Sequence, residues 1–199
     1  MGILCRGARV MNRKHLRRFS FTVLFAALNF IAFTYLKISI PLAGGGAVAI
    51  HIANAIVVLS AWLIGPIPGG IAGAIGLSLA DVLDPLYVVS APKTFFLKFM
   101  IGFIAGTIGN RMGLRDTDDA AKIRKITIIS SAAALGFNVI FEPVISFLYR
   151  RFLLGVSAEA ASILAAWLGG VTALNAVICV VVSVLLYKAL YRYYRQLDQ

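Results

Sequence analysis

Six stretches of this sequence are apolar for long enough to cross a lipid bilayer, and that limits its folds more than any other feature. A hydrocarbon core of roughly 30 Å takes about 20 residues of helix. Within it every backbone N–H and C=O must be paired inside the protein. Hydropathy places spans near residues 19–38, 48–64, 67–84, 93–110, 123–148 and 160–187. The expected fold is an all-α integral membrane protein, a six-transmembrane-helix bundle over residues 19–190. A basic tail, 1–18, precedes it and a short tail, 191–199, follows. Charged residues make up 14% of the chain and hydrophobic ones 60%, whereas a soluble domain carries about a quarter charged residues. At 199 residues there is no room for a separate soluble domain.

The net charge of +11 could suggest a nucleic-acid partner, but its placement excludes one. Basic residues gather in the first tail (Arg6, Arg9, Arg13, Lys14, Arg17, Arg18), in one loop (Arg111, Arg115, Lys122, Arg124, Lys125) and near the last residues (Lys188, Arg192, Arg195). These are flanks of apolar spans, where Lys and Arg set orientation. With the first tail inside, the inner segments carry these fourteen, and the outer ones carry four: Lys37, Lys93, Arg150 and Arg151. Lys98 is left within a span. Both termini are therefore expected to be cytoplasmic. Tyr187, Tyr191, Tyr193 and Tyr194 are placed like an interfacial aromatic belt. The first apolar stretch follows a long basic tail and is read as a retained helix rather than a cleaved signal.

Proline and glycine mark the turns. Gly65-Pro66-Ile67-Pro68-Gly69-Gly70 is a tight reversal between spans two and three. Ile40-Pro41 and Gly44-Gly45-Gly46 form a flexible loop between spans one and two. Small residues recur at four-residue spacing: Gly69/Gly73, Ala72/Gly76, Gly102/Gly106, Ala105/Gly109 and Ala132/Gly136. Such pairs let helices approach closely in lipid, either within the bundle or against another membrane subunit.

The polar residues inside the spans are unevenly placed. Following the orientation, His51 and Asn54 lie at the outer end of span two, three apart on one helical face. Asp81 and Asp84 lie at the outer end of span three, and Lys98 lies about 7 Å into span four. Asn138 and Glu142 share a face in the outer half of span five. Asn29 and Asn175 fall nearer the middle. The inner half is mainly Gly, Ala, Val, Ile and Leu. Charge near the bilayer centre costs roughly 2.5–3.5 kcal/mol on insertion scales, so such groups usually line a cavity. His51, Asn54, Asp81, Lys98, Asn138, Glu142 and Asn175 are accordingly the candidate binding residues, with Gly44, Gly45 and Gly46 as a lid. Simpler roles stay open: solvation for Asp84, Lys93 and Lys37, snorkelling for Lys98, an ion pair between Asp81 and Lys98, and loop hydrogen bonds for His51 and Asn54.

Catalytic readings fail on residue types. The chain has no Gly-x-x-x-x-Gly-Lys-Ser/Thr phosphate loop and no His-Glu-x-x-His. Ser78 with His51 lacks the glycine that follows the nucleophile in rhomboid-type proteases, and Ser78 lies deeper than His51. Cys5 and Cys179 are too few and too far apart for a disulfide framework. No catalytic residue, cofactor or metal site is expected.

Ile40-Pro41-Leu42, the Gly44–Gly46 loop, His51-Ile52-Ala53-Asn54-Ala55, and Gly65-Pro66-Ile67-Pro68-Gly69-Gly70-Ile71-Ala72-Gly73 leading to Leu79-Ala80-Asp81 resemble one family. So does the Pro92-x-Thr94-x-x-x-Lys98 opening of span four. The family is that of the substrate-binding S components of energy-coupling factor (ECF) vitamin transporters, in its riboflavin/pyridoxine-like branch. The chain departs from the pattern in its first helix, where Ala26, Ala27 and Ala32 do not give Ala-x-x-x-Ala, and at Ala53, where glycine is usual. The resemblance implies a subunit of a bacterial or archaeal cell membrane that binds a vitamin or precursor from outside. It implies toppling in the membrane when a transmembrane coupling subunit and two cytoplasmic ATPase subunits act on it. The alternative is a self-sufficient small secondary transporter or channel, which would need ionisable residues along a complete path.

Overall fold

The computed structural model describes residues 13–41 and 47–198. Helix α1 spans Arg13–Tyr35 and leads into an antiparallel hairpin, β1 (Lys37–Pro41) and β2 (Ala47–His51), with Lys37 opposite His51 and Ile40 opposite Val48. Then follow α2 (Ala53–Ile64), α3 (Pro66–Val82), a short 3-10 turn (Val88–Ser90), α4 (Ala91–Arg111), α5 (Ala120–Leu148), a π turn (Tyr149–Leu153) and α6 (Ala158–Asp198).

The hairpin corrects the expectation of a span over 48–64. Ala47-Val48-Ala49-Ile50-His51 is as apolar as a helix but forms a strand, so α2 keeps only 12 residues, about 18 Å of helix. Among the described residues, four helices are long and apolar enough to cross a membrane, and α2 and α3 are shorter apolar helices. Helix α1 also begins six residues before the expected span, so Arg13, Lys14, Arg17 and Arg18 are helical. Gly44, Gly45 and Gly46 lie outside the described residues.

Helix α2 sits centrally, packed against α1, α3, α4 and α6, with every residue but Ile56 buried. Gly65 adopts φ 112°, a left-handed geometry that favours glycine, and Pro66 opens α3 where no N–H is needed. Arg115 then donates from Nε to Trp62 O at 3.0 Å and from a terminal nitrogen to Leu63 O at 2.7 Å. That satisfies carbonyls at the end of α2 that have no helical partner. The expected reversal between α2 and α3 is therefore present.

The small residues serve the interior. A Cβ on Gly76 would strike the Ala26 carbonyl of α1, and one on Gly69 would strike the Ala61 backbone of α2. One on Gly102 would lie 2.6 Å from Gly70 Cα, and one on Gly106 would lie 2.7 Å from Pro66 Cα. These glycines let α1, α2 and α4 close on α3 at backbone contact. Gly136 differs: nothing lies within 4 Å of its Cβ position. Tyr187 is not an interfacial residue either, since it is buried edge-on against Trp62, ring centroids 5.4 Å apart. The outer surface exposes Phe19, Val23, Ile31, Phe96, Ile140, Val177 and Val181. A continuous apolar exterior of this kind suits lipid rather than water.

Candidate functional site

The polar residues meet in one cavity at the end of the bundle opposite the basic loops. All seven candidate residues line it, together with Lys93, Thr94, Tyr87, Thr172 and Arg150. Helices α3, α4, α5 and α6 form its walls, and β2 and the start of α2 supply one side through Ala47, Val48, Ala49, His51 and Asn54.

Its electrostatic centre is Glu142 of α5. Lys93 Nζ donates to Glu142 Oε1 at 3.2 Å and Lys98 Nζ donates to Oε2 at 3.1 Å. All three side chains are 6–9% exposed. Lys93 and Lys98 lie five apart on α4, so one carboxylate bridges two ammonium groups on the helix facing it. Asp81 is not the partner of Lys98; it accepts from Thr94 Oγ1 at 2.6 Å. Thus neither snorkelling nor an Asp81–Lys98 pair describes Lys98. Lys93 is buried rather than solvated.

Asn175 of α6 fastens the hairpin to the bundle. Its Oδ1 accepts from the His51 N–H at 3.1 Å and its Nδ2 donates to Ala49 O at 2.8 Å. This pairing fixes which way the amide points. Cys179 Sγ, one turn on, lies 3.6 Å from His51 O. His51 ends a strand rather than sharing a helical face with Asn54, yet both reach the same cavity. Its ring packs edge-on to Phe33, centroids 5.0 Å apart. Asn29, read as a mid-span polar group, bonds back to Phe25 O of its own helix at 2.8 Å and does not line the cavity.

At the rim, Lys37 pairs with Asp84 and stands 4.5 Å from the ring centroids of both Phe33 and Tyr87. Tyr87 Oη donates to Ser39 Oγ at 3.1 Å. These contacts tie β1 to the loop after α3, so Lys37 and Asp84 are paired rather than simply solvated. Burial acts to raise the Asp84 carboxyl. The Lys37 hydrogen bond and charge, with the Leu86 N–H, outweigh it and hold the group below the usual carboxylate range.

Among the described residues, three buried polar atoms of side chains that line the cavity have no hydrogen-bond partner: Asn54 Oδ1, Asn138 Oδ1 and His51 Nδ1. Buried polar atoms are normally paired, and leaving one unpaired costs about 1–3 kcal/mol. The cavity wall therefore combines a buried ammonium–carboxylate cluster with buried polar atoms that lack a protein partner. That arrangement suits a small solute bearing both acceptors and donors. Among the described residues no group of three His, Cys, Asp or Glu side chains is placed to hold a metal.

The model of the family described as the S component of the ECF-type riboflavin transporter matches residues 14–192. The chain belongs to this family. No curated protein and no solved structure gives a significant match. As an S component it is a multi-pass membrane subunit that binds a vitamin for a transporter, and it is not an enzyme. S components of this kind associate with the other components of an ECF module. Sequence reasoning found seven of this subunit's cavity residues and missed Lys93, Tyr87, Thr172 and Arg150. By sequence position Lys93 and Arg150 are charges that flank spans; the Pro92-x-Thr94-x-x-x-Lys98 opening is a usable signal for Thr94.

Proposed function

We propose that this S component captures a small vitamin-type solute from the outer side of the membrane. The cavity holds it between the Lys93–Glu142–Lys98 cluster and the unpartnered atoms of Asn54, Asn138 and His51. In this reading both termini are cytoplasmic, in a bacterial or archaeal membrane, and all six helices belong to the membrane domain. A transmembrane coupling subunit and two cytoplasmic ATPase subunits supply the energy. The observation that carries the reading is the set of unpartnered buried polar atoms around a cavity that already contains buried charge. Such groups are expensive in a bilayer unless a ligand uses them. The family's description makes riboflavin the first compound to test.

The hairpin is the natural entry. Asn175 and the Lys37–Asp84 pair hold its two strands, and Gly44, Gly45 and Gly46, which join them in the sequence, are proposed as the lid. Mass spectrometry of small molecules retained by the protein purified in detergent tests the reading. One flavin-like or other vitamin-type compound, in near-equimolar amount, is expected. Riboflavin failing to bind, with no other vitamin retained or bound on addition, would overturn it.

A further inference from the structure

The charges around the cavity do not balance, and the surplus identifies a feature of the ligand. Three cationic side chains line the cavity, Lys93, Lys98 and Arg150, against two carboxylates, Asp81 and Glu142. Glu142 is shared by both lysines and Asp81 is taken up by Thr94. Arg150, in the π turn that ends α5, is half-buried and has no carboxylate partner among the described residues.

Nor does the rest of this end of the bundle provide one. Of the chain's eight acidic residues, only Asp81, Asp84, Glu142 and Glu159 belong to segments at this end. Asp84 is paired with Lys37, and Glu159 is exposed at the start of α6. The segment between β1 and β2, Leu42-Ala43-Gly44-Gly45-Gly46, contains no acid in its sequence.

Arg150 also closes a row. Asn138, Glu142, Ser146 and Arg150 follow at four-residue intervals along α5 and its π turn, and Asn138, Glu142 and Arg150 all line the cavity. Asn138 Oδ1 and Ser146 Oγ are buried and unpartnered. An unpaired guanidinium at the end of such a row, in a membrane protein, is placed to take a planar or tetrahedral oxyanion through two N–H bonds.

Resting on the reading of the cavity as a vitamin site, we infer that its ligand carries an anionic group, a phosphate or carboxylate. Arg150 receives that group, and the Lys93–Glu142–Lys98 cluster holds the uncharged part of the molecule.

The probes are riboflavin and riboflavin 5′-phosphate, which differ only in the anionic group, titrated against the detergent-solubilised protein by quenching of flavin fluorescence. The wild type should bind the phosphate at least about tenfold more tightly than riboflavin. Arg150→Gln should lower affinity for the phosphate at least about tenfold more than affinity for riboflavin, and the preference should shrink as salt rises. Arg150→Lys, which keeps the charge, should retain part of the preference. A wild type that prefers riboflavin, or an Arg150→Gln variant that weakens both ligands equally, overturns the anionic subsite and leaves the vitamin site standing. Failure of both flavins to bind the wild type removes the flavin reading and this inference with it.

Discussion

Replacing Glu142 with Gln is the most informative single perturbation of the site. The carboxylate accepts from two buried ammonium groups at 3.1 and 3.2 Å, and Gln keeps the shape while removing the charge. Two unit charges about 6–8 Å apart repel by about 2–3 kcal/mol at an effective dielectric near 20. The variant would also retain two buried cations without a counter-charge. Removing one partner of a buried pair typically costs about 3–5 kcal/mol, a large share of a total stability of about 5–15 kcal/mol. Glu142→Gln should therefore melt early in detergent, followed by tryptophan fluorescence or light scattering. Adding Lys98→Met should recover at least half of the loss, because it removes one of the two stranded charges. The pair then reads as a double-mutant cycle with strong coupling. If Glu142→Gln melts with the wild type, and Lys98→Met adds its own effect independently, the bridging carboxylate is not what holds the two lysines. The electrostatic account of the cavity would then fail.

Other expected outcomes are simpler. Asn138→Ala removes a side chain whose Oδ1 has no protein partner, so ligand affinity should fall about tenfold or more with little change in melting. A variant that melts early and still binds at full affinity would make Asn138 structural. Asn175→Ala loses both bonds that fasten the hairpin and should speed ligand release in stopped-flow measurements; an unchanged release rate would sink the clamp. Replacing Gly44, Gly45 and Gly46 together with Val should slow association while the bundle stays folded, and unchanged kinetics would remove the lid. The Asp84 carboxyl is held below its ordinary value, so the stabilisation from its pairing with Lys37 is present above about pH 4. It is lost as pH falls through the depressed value. Asp84→Asn should therefore flatten the acid side of the melting profile, and an unchanged profile would contradict that.

Much of this site was legible because burial in a membrane leaves few reasons for a polar side chain. Asn138 and Glu142 were readable from spacing alone, since four residues on a helix bring two side chains to one face. The spacing of Gly69, Gly73 and Gly102 signalled close backbone contact, but only the packing shows that the contact is internal to the bundle. The hairpin was not legible. Ala47 to Ile50 are apolar, and hydropathy does not distinguish a buried strand from a helix, so the segment was absorbed into a span. Partner choice was hidden for a different reason. Lys98 is nearer in sequence to Asp81 than to Glu142, and only the packing of α4 on both α3 and α5 decides between them. Lys93 and Arg150 looked like flanking charges because sequence position fixes depth but not the direction a side chain takes.

The central claim is that this chain binds but does not itself drive transport. Reconstitution into proteoliposomes tests it, with radiolabelled riboflavin as the probe and either an ion gradient or internal ATP as the energy source. The account predicts saturable binding near one ligand per chain with no accumulation by the chain alone under either source. Accumulation should appear only when the coupling and ATPase subunits are included with ATP. Uptake against a concentration gradient by the chain alone, driven by an ion gradient, would contradict it.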